Sequence, residues 1–89
     1  MQKKQITLIN KLGLHARAAM KLMNTASRYG SEILIRFDGR VINAKDIMDV
    51  LILGASCGSI LEFEISGDDE DEALNALVAL IEDRLGESE

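Results

Sequence analysis

The sequence predicts an α+β fold in which one four-stranded sheet carries three helices on one face. Two observations support this class. Apolar residues alternate with polar ones in several short segments, whereas three longer segments repeat apolar residues at helical spacing. An Asp38-Gly39 pair lies between two of the alternating segments and is typical of a tight hairpin turn. The resulting order is strand, helix, strand, strand, helix, strand, helix.

The first half of the chain is predicted to contain a strand, a loop and a long helix. Residues 3–9 are rich in apolar and β-branched side chains, which favours a strand. Residues 10–14 form a loop around Gly13. Residues 16–27 carry apolar side chains at helical spacing, and Gly30 is expected to stop this helix.

The middle of the chain is predicted to form a hairpin and a short helix. Residues 32–37 and 40–43 pair antiparallel across Asp38-Gly39, with alternating side chains on opposite faces. Asp46 is the expected N-cap of a helix over 47–53, which Gly54 ends. The two strand–helix–strand connections would bring the last strand into the middle of the sheet.

The last strand and helix follow the same patterns. Over 59–66 the apolar residues should face inward, while Arg36, Glu62 and Glu64 lie on a solvated outer face. A helix over 70–85 should bury one apolar stripe, comprising Leu74, Leu77, Val78, Ile81 and Leu85. The acidic run 68–72 is interpreted as a solvated capping cluster at the positive helix start, because it lacks the ligand spacing of a calcium loop.

Composition excludes several classes of protein. The 89 residues predict a single domain over 1–89, and 47% hydrophobic residues predict a globular chain. The net charge of −5 argues against nucleic-acid binding and favours a protein or small-molecule partner. No membrane-spanning run and no secretory signal are recognised, so a cytoplasmic location is expected. The single Cys57 is interpreted as a small packed residue, and neither a metal site nor a cofactor is predicted.

The only histidine, His15, follows the glycine-bearing loop and directly precedes the first helix. A helix start offers unpaired N–H groups and a positive dipole end, which together bind anions. Arg17 adds a cationic fork suited to phosphate oxygens, although a cation at a helix start costs a few tenths of a kcal/mol. This combination favours a histidine that carries a phosphoryl group over a surface histidine without a role.

Two motifs resemble those of the histidine-containing phosphocarriers of the bacterial phosphotransferase system, the HPr/NPr family. Gly13-Leu14-His15-Ala16-Arg17 matches the active-site signature, and residues 43–48 lie where the family carries its regulatory serine motif. The resemblance covers essentially the whole chain and implies an open-faced β-sandwich with an antiparallel sheet. It further implies that His15 accepts a phosphoryl group through Nδ1 from phosphorylated enzyme I, which takes it from phosphoenolpyruvate. His15 then passes the group to an enzyme IIA domain.

Residues around His15 receive roles from this hypothesis. The Arg17 guanidinium and the backbone N–H groups of Ala16 and Arg17 would compensate the phosphoryl charge. An apolar docking surface close to His15 is expected to comprise Met20, Ile47, Met48 and Leu51. The alternative interpretation places Met48 and Leu51 in the core. A carrier that meets both partners through one surface is expected to be a monomer.

Three departures from the family pattern leave alternatives open. Ala18 stands where many members have proline, and little effect is expected. Asp46 replaces the phosphorylatable serine, so it is either a helix cap alone or a fixed charge that mimics part of the phosphoserine charge. Few basic side chains remain near the docking surface: Arg17, Lys21, Arg28 and Lys45.

The branch of the phosphotransferase system also stays open. One hypothesis is a carrier that feeds a sugar-linked or regulatory enzyme IIA, and the other is a nitrogen-branch regulatory carrier. A small ligand-binding regulatory domain of similar topology is a third possibility, from a different class of protein. It would leave the placement of His15 and Arg17 unexplained.

Overall fold

The computed structural model describes all 89 residues and confirms the predicted α+β fold. Its elements are β1 Gln2–Thr7, α1 Ala16–Ser27, β2 Glu32–Phe37, β3 Arg40–Asn43, α2 Ile47–Leu53, β4 Ile60–Ser66 and α3 Glu70–Glu82, followed by a 3₁₀ turn at Arg84–Gly86. The sheet is antiparallel with strand order β1-β4-β2-β3, so β4 lies in the interior as predicted. None of the helices is long and apolar enough to span a membrane.

The two faces of the sheet follow the alternation in the sequence. Leu61, Phe63 and Ile65 of β4 are fully buried against the helices, together with Ile33 and Ile35 of β2. On the opposite face Arg36 Nη2 lies 2.9 Å from Glu64 Oε1, and Arg36 Nε lies 3.4 Å from Glu62. The helices therefore cover one face, and a ladder of charged side chains occupies the other.

Backbone conformation explains the predicted turns. Asp38 and Gly39 both have positive φ, 51° and 78°, which matches the twist of the β2–β3 hairpin. Asp46 accepts hydrogen bonds from Met48 N (3.0 Å) and Asp49 N (3.3 Å), so it is the N-cap of α2. Gly54 ends that helix in the left-handed conformation, as expected.

Several predicted boundaries were wrong. β1 ends at Thr7 instead of residue 9. α1 ends at Ser27, but Gly30 does not adopt a left-handed conformation there, and Arg28 is the C-cap residue. The N–H of Arg28 donates to Thr25 O at 3.2 Å and that of Tyr29 donates to Ala26 O at 3.3 Å, so the last turn closes without glycine.

The C-terminal helix also differs from its prediction. α3 stops at Glu82, and Leu85 follows with φ 55°, which folds its side chain back into the core instead of extending the helix. Leu77 and Ile81 are buried as expected, whereas Leu74 and Val78 are half-buried because Ala73 takes a central position. A 13-residue helix thus ends in a hook that redirects the following segment.

Two further interpretations need correction. Cys57 is exposed, not packed, because it lies in the turn that precedes β4. Asp69 does not cap α3 with its side chain: its carboxylate accepts from the N–H groups of Gly30 and Ser31, both at 2.9 Å, and from the Ser31 hydroxyl. Asp69 therefore joins the start of α3 to the turn after α1, while Glu70, Asp71 and Glu72 remain in the first helical turn.

Candidate functional site

The loop before α1 fixes the position of His15. Gly13 has φ 65°, and a Cβ at this position would lie 2.5 Å from the carbonyl oxygen of Ala55, so glycine is required. Leu14 N donates to the same Ala55 oxygen at 2.9 Å. The His15 carbonyl accepts the first bond of the helix, from Ala19 N at 2.8 Å. Close packing of two loops thus delivers His15 to the N-cap position.

The start of α1 is not satisfied by any side chain of the protein. His15 makes no capping hydrogen bond to the backbone, and the first turn contains no acidic residue. The N–H groups of Ala16 and Arg17 find no acceptor. Free N–H groups and the positive dipole end therefore face the same region as the histidine side chain, which is an arrangement that attracts an anion.

Glu87 brings the two predicted site residues together. Its Oε2 hydrogen-bonds with Nε2 of His15 and lies 4.0 Å from Nη2 of Arg17. The His15 side chain is 25% exposed and that of Glu87 is 12% exposed, whereas Arg17 is 71% exposed. The histidine is thus held in place, while the guanidinium is free to move toward an incoming group.

Asn10 in turn holds Glu87. The Asn10 side chain is almost fully buried, and its Nδ2 donates to Glu87 Oε1 at 2.8 Å and to Gly13 O at 2.8 Å. The hydrogen bond from Asn10, followed by that from His15, holds the pKa of the Glu87 carboxyl below its ordinary value. The carboxylate therefore stays ionised beside the histidine ring at neutral pH.

A cleft of about 420 Å³ opens next to these residues. Arg17 and Glu87 line it, with the cationic side chains of Lys11 and Lys21. Lys21 Nζ donates to Leu85 O at 3.1 Å and Lys11 Nζ lies 3.4 Å from Glu89 Oε2, so both lysines are engaged with the C-terminal segment. No group of three or more His, Cys, Asp or Glu side chains is arranged to hold a metal ion.

The predicted docking residues lie on two helices that contact each other, α1 and α2. Met48 is 62% exposed and Leu51 is 36% exposed, so the alternative that places them in the core is wrong. Met20 is also exposed, whereas Ile47 is half-buried. The pattern on α2 missed a further apolar residue, because Ile52 is 58% exposed.

The basic side chains near this surface are few, and two of them are engaged. Lys21 contacts Leu85 as described, and Lys45 Nζ donates to Tyr29 O at 2.6 Å. Arg28 is exposed at the end of α1. Arg17 is consequently the cation with the most freedom close to His15.

The sequence predicted His15, Ala16 and Arg17 as site residues but not the contacts that Asn10 and Glu87 make beside them. Glu87 lies 72 residues from His15 along the chain, so no local spacing connects them. Asn10 was placed in the loop without a role. The one usable signal was the polar side chain at the beginning of a glycine-bearing loop, since buried asparagines commonly satisfy loop carbonyls.

A comparison with protein families gives one match over nearly the whole chain. Residues 2–83 match the family described as the PTS HPr component phosphorylation site. A curated relative from Cupriavidus necator, named phosphocarrier protein HPr, is 47% identical over 89 residues, which is all of both chains.

Solved structures agree in fold. The crystal structure of HPr-C-His from Thermoanaerobacter tengcongensis is similar with a TM-score of 0.96 and 44% identity, covering all of both chains. A structure of an HPr dimer from the same organism has a TM-score of 0.78 and 45% identity, covering 98% of this chain and 100% of the other.

Proposed function

The chain belongs to the HPr family of the phosphotransferase system, and from that premise we propose that it carries a phosphoryl group on His15. One observation carries the proposal: the only histidine of the chain is the N-cap of a helix whose first N–H groups have no internal acceptor. A group attached to this ring meets unpaired donors and a positive dipole end. A solvated histidine without a role would not need that setting.

The proposed reaction is a reversible phosphoryl exchange between histidines. Phosphorylated enzyme I, charged from phosphoenolpyruvate, presents its phosphoryl group to His15. A ring nitrogen of His15 forms a bond to phosphorus while the bond to the donor breaks and its electron pair stays on the donor. Transfer to an enzyme IIA domain repeats the exchange in the other direction. Such exchange depends mainly on positioning and charge compensation.

Arg17 and Ala16 supply the compensation in this proposal. The exposed Arg17 guanidinium has room to swing from Glu87 to the phosphoryl oxygens, where its planar fork forms charge-assisted bonds. The unpaired N–H of Ala16 adds a fixed donor. Moderate stabilisation suits a carrier, because the group must be both held and released.

Docking of both partners is assigned to the apolar surface of Met20, Ile47, Met48 and Leu51, extended by Ile52. Flexible methionine side chains fit two unlike partners in turn. Because one surface serves both partners, we propose that the working form is a monomer. Light scattering at micromolar concentration tests this, and a stable dimer would contradict it. The exchange is placed in the cytoplasm, where an exposed cysteine stays reduced.

The second candidate is a nitrogen-branch regulatory carrier of the same family. It is supported by the small number of free basic side chains around the docking surface, since Lys21 and Lys45 are bound to backbone carbonyls. Rim charges govern association rate and partner choice. Transfer from the phosphorylated protein to purified sugar-linked and nitrogen-branch enzyme IIA domains separates the two, because the natural partner should accept the group faster.

The test of the main proposal is phosphorylation by enzyme I and radiolabelled phosphoenolpyruvate. The protein should take up one acid-labile, base-stable label, as expected for a phosphoramidate. His15→Ala should take up none while melting as a folded protein. Label retained by that variant would show that another residue is the acceptor.

A further inference from the structure

The segment after α3 is anchored to both elements that flank His15. Lys21 Nζ of α1 binds Leu85 O, and Lys11 N of the preceding loop donates to Glu89 O at 2.9 Å. Glu87 lies between these two anchors, and its carboxylate contacts the His15 ring. The contact is thus imposed by bonds that do not involve the ring itself. It lies beyond residues 2–83, where the family match ends.

The geometry also determines which ring nitrogen holds the proton. An ionised carboxylate only accepts hydrogen bonds, so the nitrogen that faces Glu87 must be the donor. That nitrogen is Nε2. In the neutral ring the proton therefore lies on Nε2, and Nδ1 keeps its lone pair. Nδ1 forms no hydrogen bond in the structure and is free to react.

The orientation of the Asn10 amide supports this assignment. Its Nδ2 faces two acceptors, Gly13 O and Glu87 Oε1, while its Oδ1 is buried without a partner. Reversing the amide would place Oδ1 against both oxygens, so the observed orientation is the only one that bonds. One buried amide therefore links the loop that presents His15 to the carboxylate that orients it.

We propose that Glu87 is a positioning residue for phosphoryl transfer, held by Asn10, which keeps the proton of His15 on Nε2 and leaves Nδ1 as the nucleophile. This inference rests on the proposed function. When Nδ1 bonds to phosphorus and the donor keeps the electron pair of the broken bond, the ring becomes an imidazolium. The Glu87 carboxylate then faces the new positive charge, as the aspartate does in a catalytic triad.

Two measurements on matched variants test the role of Glu87. Nitrogen-15 NMR of the unphosphorylated protein, at a pH that keeps the imidazole neutral, reports the tautomer. The wild type should show a protonated Nε2 and an unprotonated Nδ1, whereas Glu87→Ala should show a mixture. In Glu87→Ala, phosphorylation by enzyme I should also become roughly ten-fold slower. This factor is at the low end of the effect expected for the loss of a hydrogen bond to a charged group. Glu82→Ala is the control, because Glu82 is exposed and makes no ion pair.

Glu87→Gln tests whether two accepting oxygens are needed. Its single amide oxygen can accept from His15 Nε2–H or from Asn10 Nδ2 but not from both, because the amide NH2 is a donor. The tautomer ratio and the transfer rate should therefore both lie between those of the wild type and Glu87→Ala. The proposal is overturned if Glu87→Ala matches Glu82→Ala in both measurements, or if its tautomer changes without a change in rate. If the wild type takes up no label, the proposed carrier function fails. The nitrogen spectra of the unphosphorylated protein still decide whether Glu87 orients the ring.

Discussion

The N-termini of α1 and α2 differ in how they are capped. At α2, the Asp46 carboxylate accepts from Met48 N and Asp49 N, and Asp49 adds a second acid in the first turn. At α1, His15 caps no N–H group, the first turn has no acid, and Arg17 is a cation. A carboxylate of the protein thus caps α2, whereas the N-terminus of α1 has no capping anion.

Under the proposed function, the difference reflects stability that is given up for chemistry. A good N-cap is worth about 1 kcal/mol, and a misplaced cation costs a few tenths more. α1 lacks the first and carries the second, although serine or aspartate at position 15 would serve a purely structural helix better. An external phosphoryl group explains both deficits, because it would supply the missing acceptors and a partner for Arg17.

The largest expected effect comes from placing a charge on the exposed side of α2. Met48→Asp should keep the helix, since acids are favourable in a first turn. It should nevertheless slow phosphoryl exchange with enzyme I at least roughly 100-fold, because docking would bury an unpaired carboxylate at a cost of several kcal/mol. Val41→Asp, which changes an exposed apolar residue on the edge strand β3, is the control. Equal rates for the two variants would remove Met48 from the docking surface.

Removal of the cation at the open helix start should have the next largest effect. Arg17→Ala eliminates one charge-assisted contact worth about 1–3 kcal/mol, which predicts transfer that is roughly ten- to a hundred-fold slower. The melting temperature should not fall, because alanine favours helix and the misplaced charge is gone. Lys4→Ala, which removes an exposed cation without an ion pair from the edge strand β1, is the control. A normal transfer rate in Arg17→Ala would show that the arginine is a bystander.

The sequence predicted well those features that depend on neighbouring residues. Alternation in β4, the Asp38-Gly39 turn and the Asp46 cap are local patterns, and each occurs where expected. The position of His15 and Arg17 at a helix start was predicted in the same way, because a glycine loop and the following helix identify that position. The sequence left Met48 between the docking surface and the core, and the structure shows it exposed.

The features that were missed depend on contacts distant in sequence. Leu85 leaves the helix with φ 55°, which its residue type does not favour, because its side chain completes the core. That hook directs Glu87 to His15, a contact between residues 72 positions apart. Asp69 looked like a helix cap, but the turn after α1 offers it three donors instead. Tertiary contacts overrode the local preference in each case.

The start of α3 provides a third comparison, through pH. The Ser31 hydroxyl, followed by the N–H of Gly30, lowers the pKa of the Asp69 carboxyl in the folded protein. A depressed folded pKa stabilises the fold above the unfolded pKa of about 3.9, and this contribution is lost as pH falls through the lower folded value. Asp69→Asn should therefore have a lower melting temperature than the wild type at pH 7, and the difference in melting temperature should become smaller in acid.

The measurement is the melting temperature of the wild type, Asp69→Asn and Asp68→Asn, from pH 7 down to below the unfolded pKa of about 3.9. Asp68 is an exposed neighbour that accepts none of these hydrogen bonds, so its variant should follow the wild type. A gap between Asp69→Asn and wild type that does not depend on pH would mean that the carboxylate charge is irrelevant to the contact.

The smallest expected effect separates the two interpretations of Asp46. Asp46→Ser should change the free energy of unfolding by no more than about 0.5 kcal/mol, since both residues are good caps, whereas Asp46→Ala should cost about 1 kcal/mol. If the fixed charge restrains docking, Asp46→Ser should also speed exchange with enzyme I, most clearly at low salt, because screening weakens charge repulsion. Exchange rates of wild type, Asp46→Ser and Asp46→Ala at two salt concentrations provide the measurement. Both variants remove the charge, but only the alanine variant removes the cap, so faster exchange in both at low salt supports the charge mimic. Unchanged exchange in the serine variant at both concentrations would leave Asp46 as a cap alone, and the start of α2 would then be purely structural.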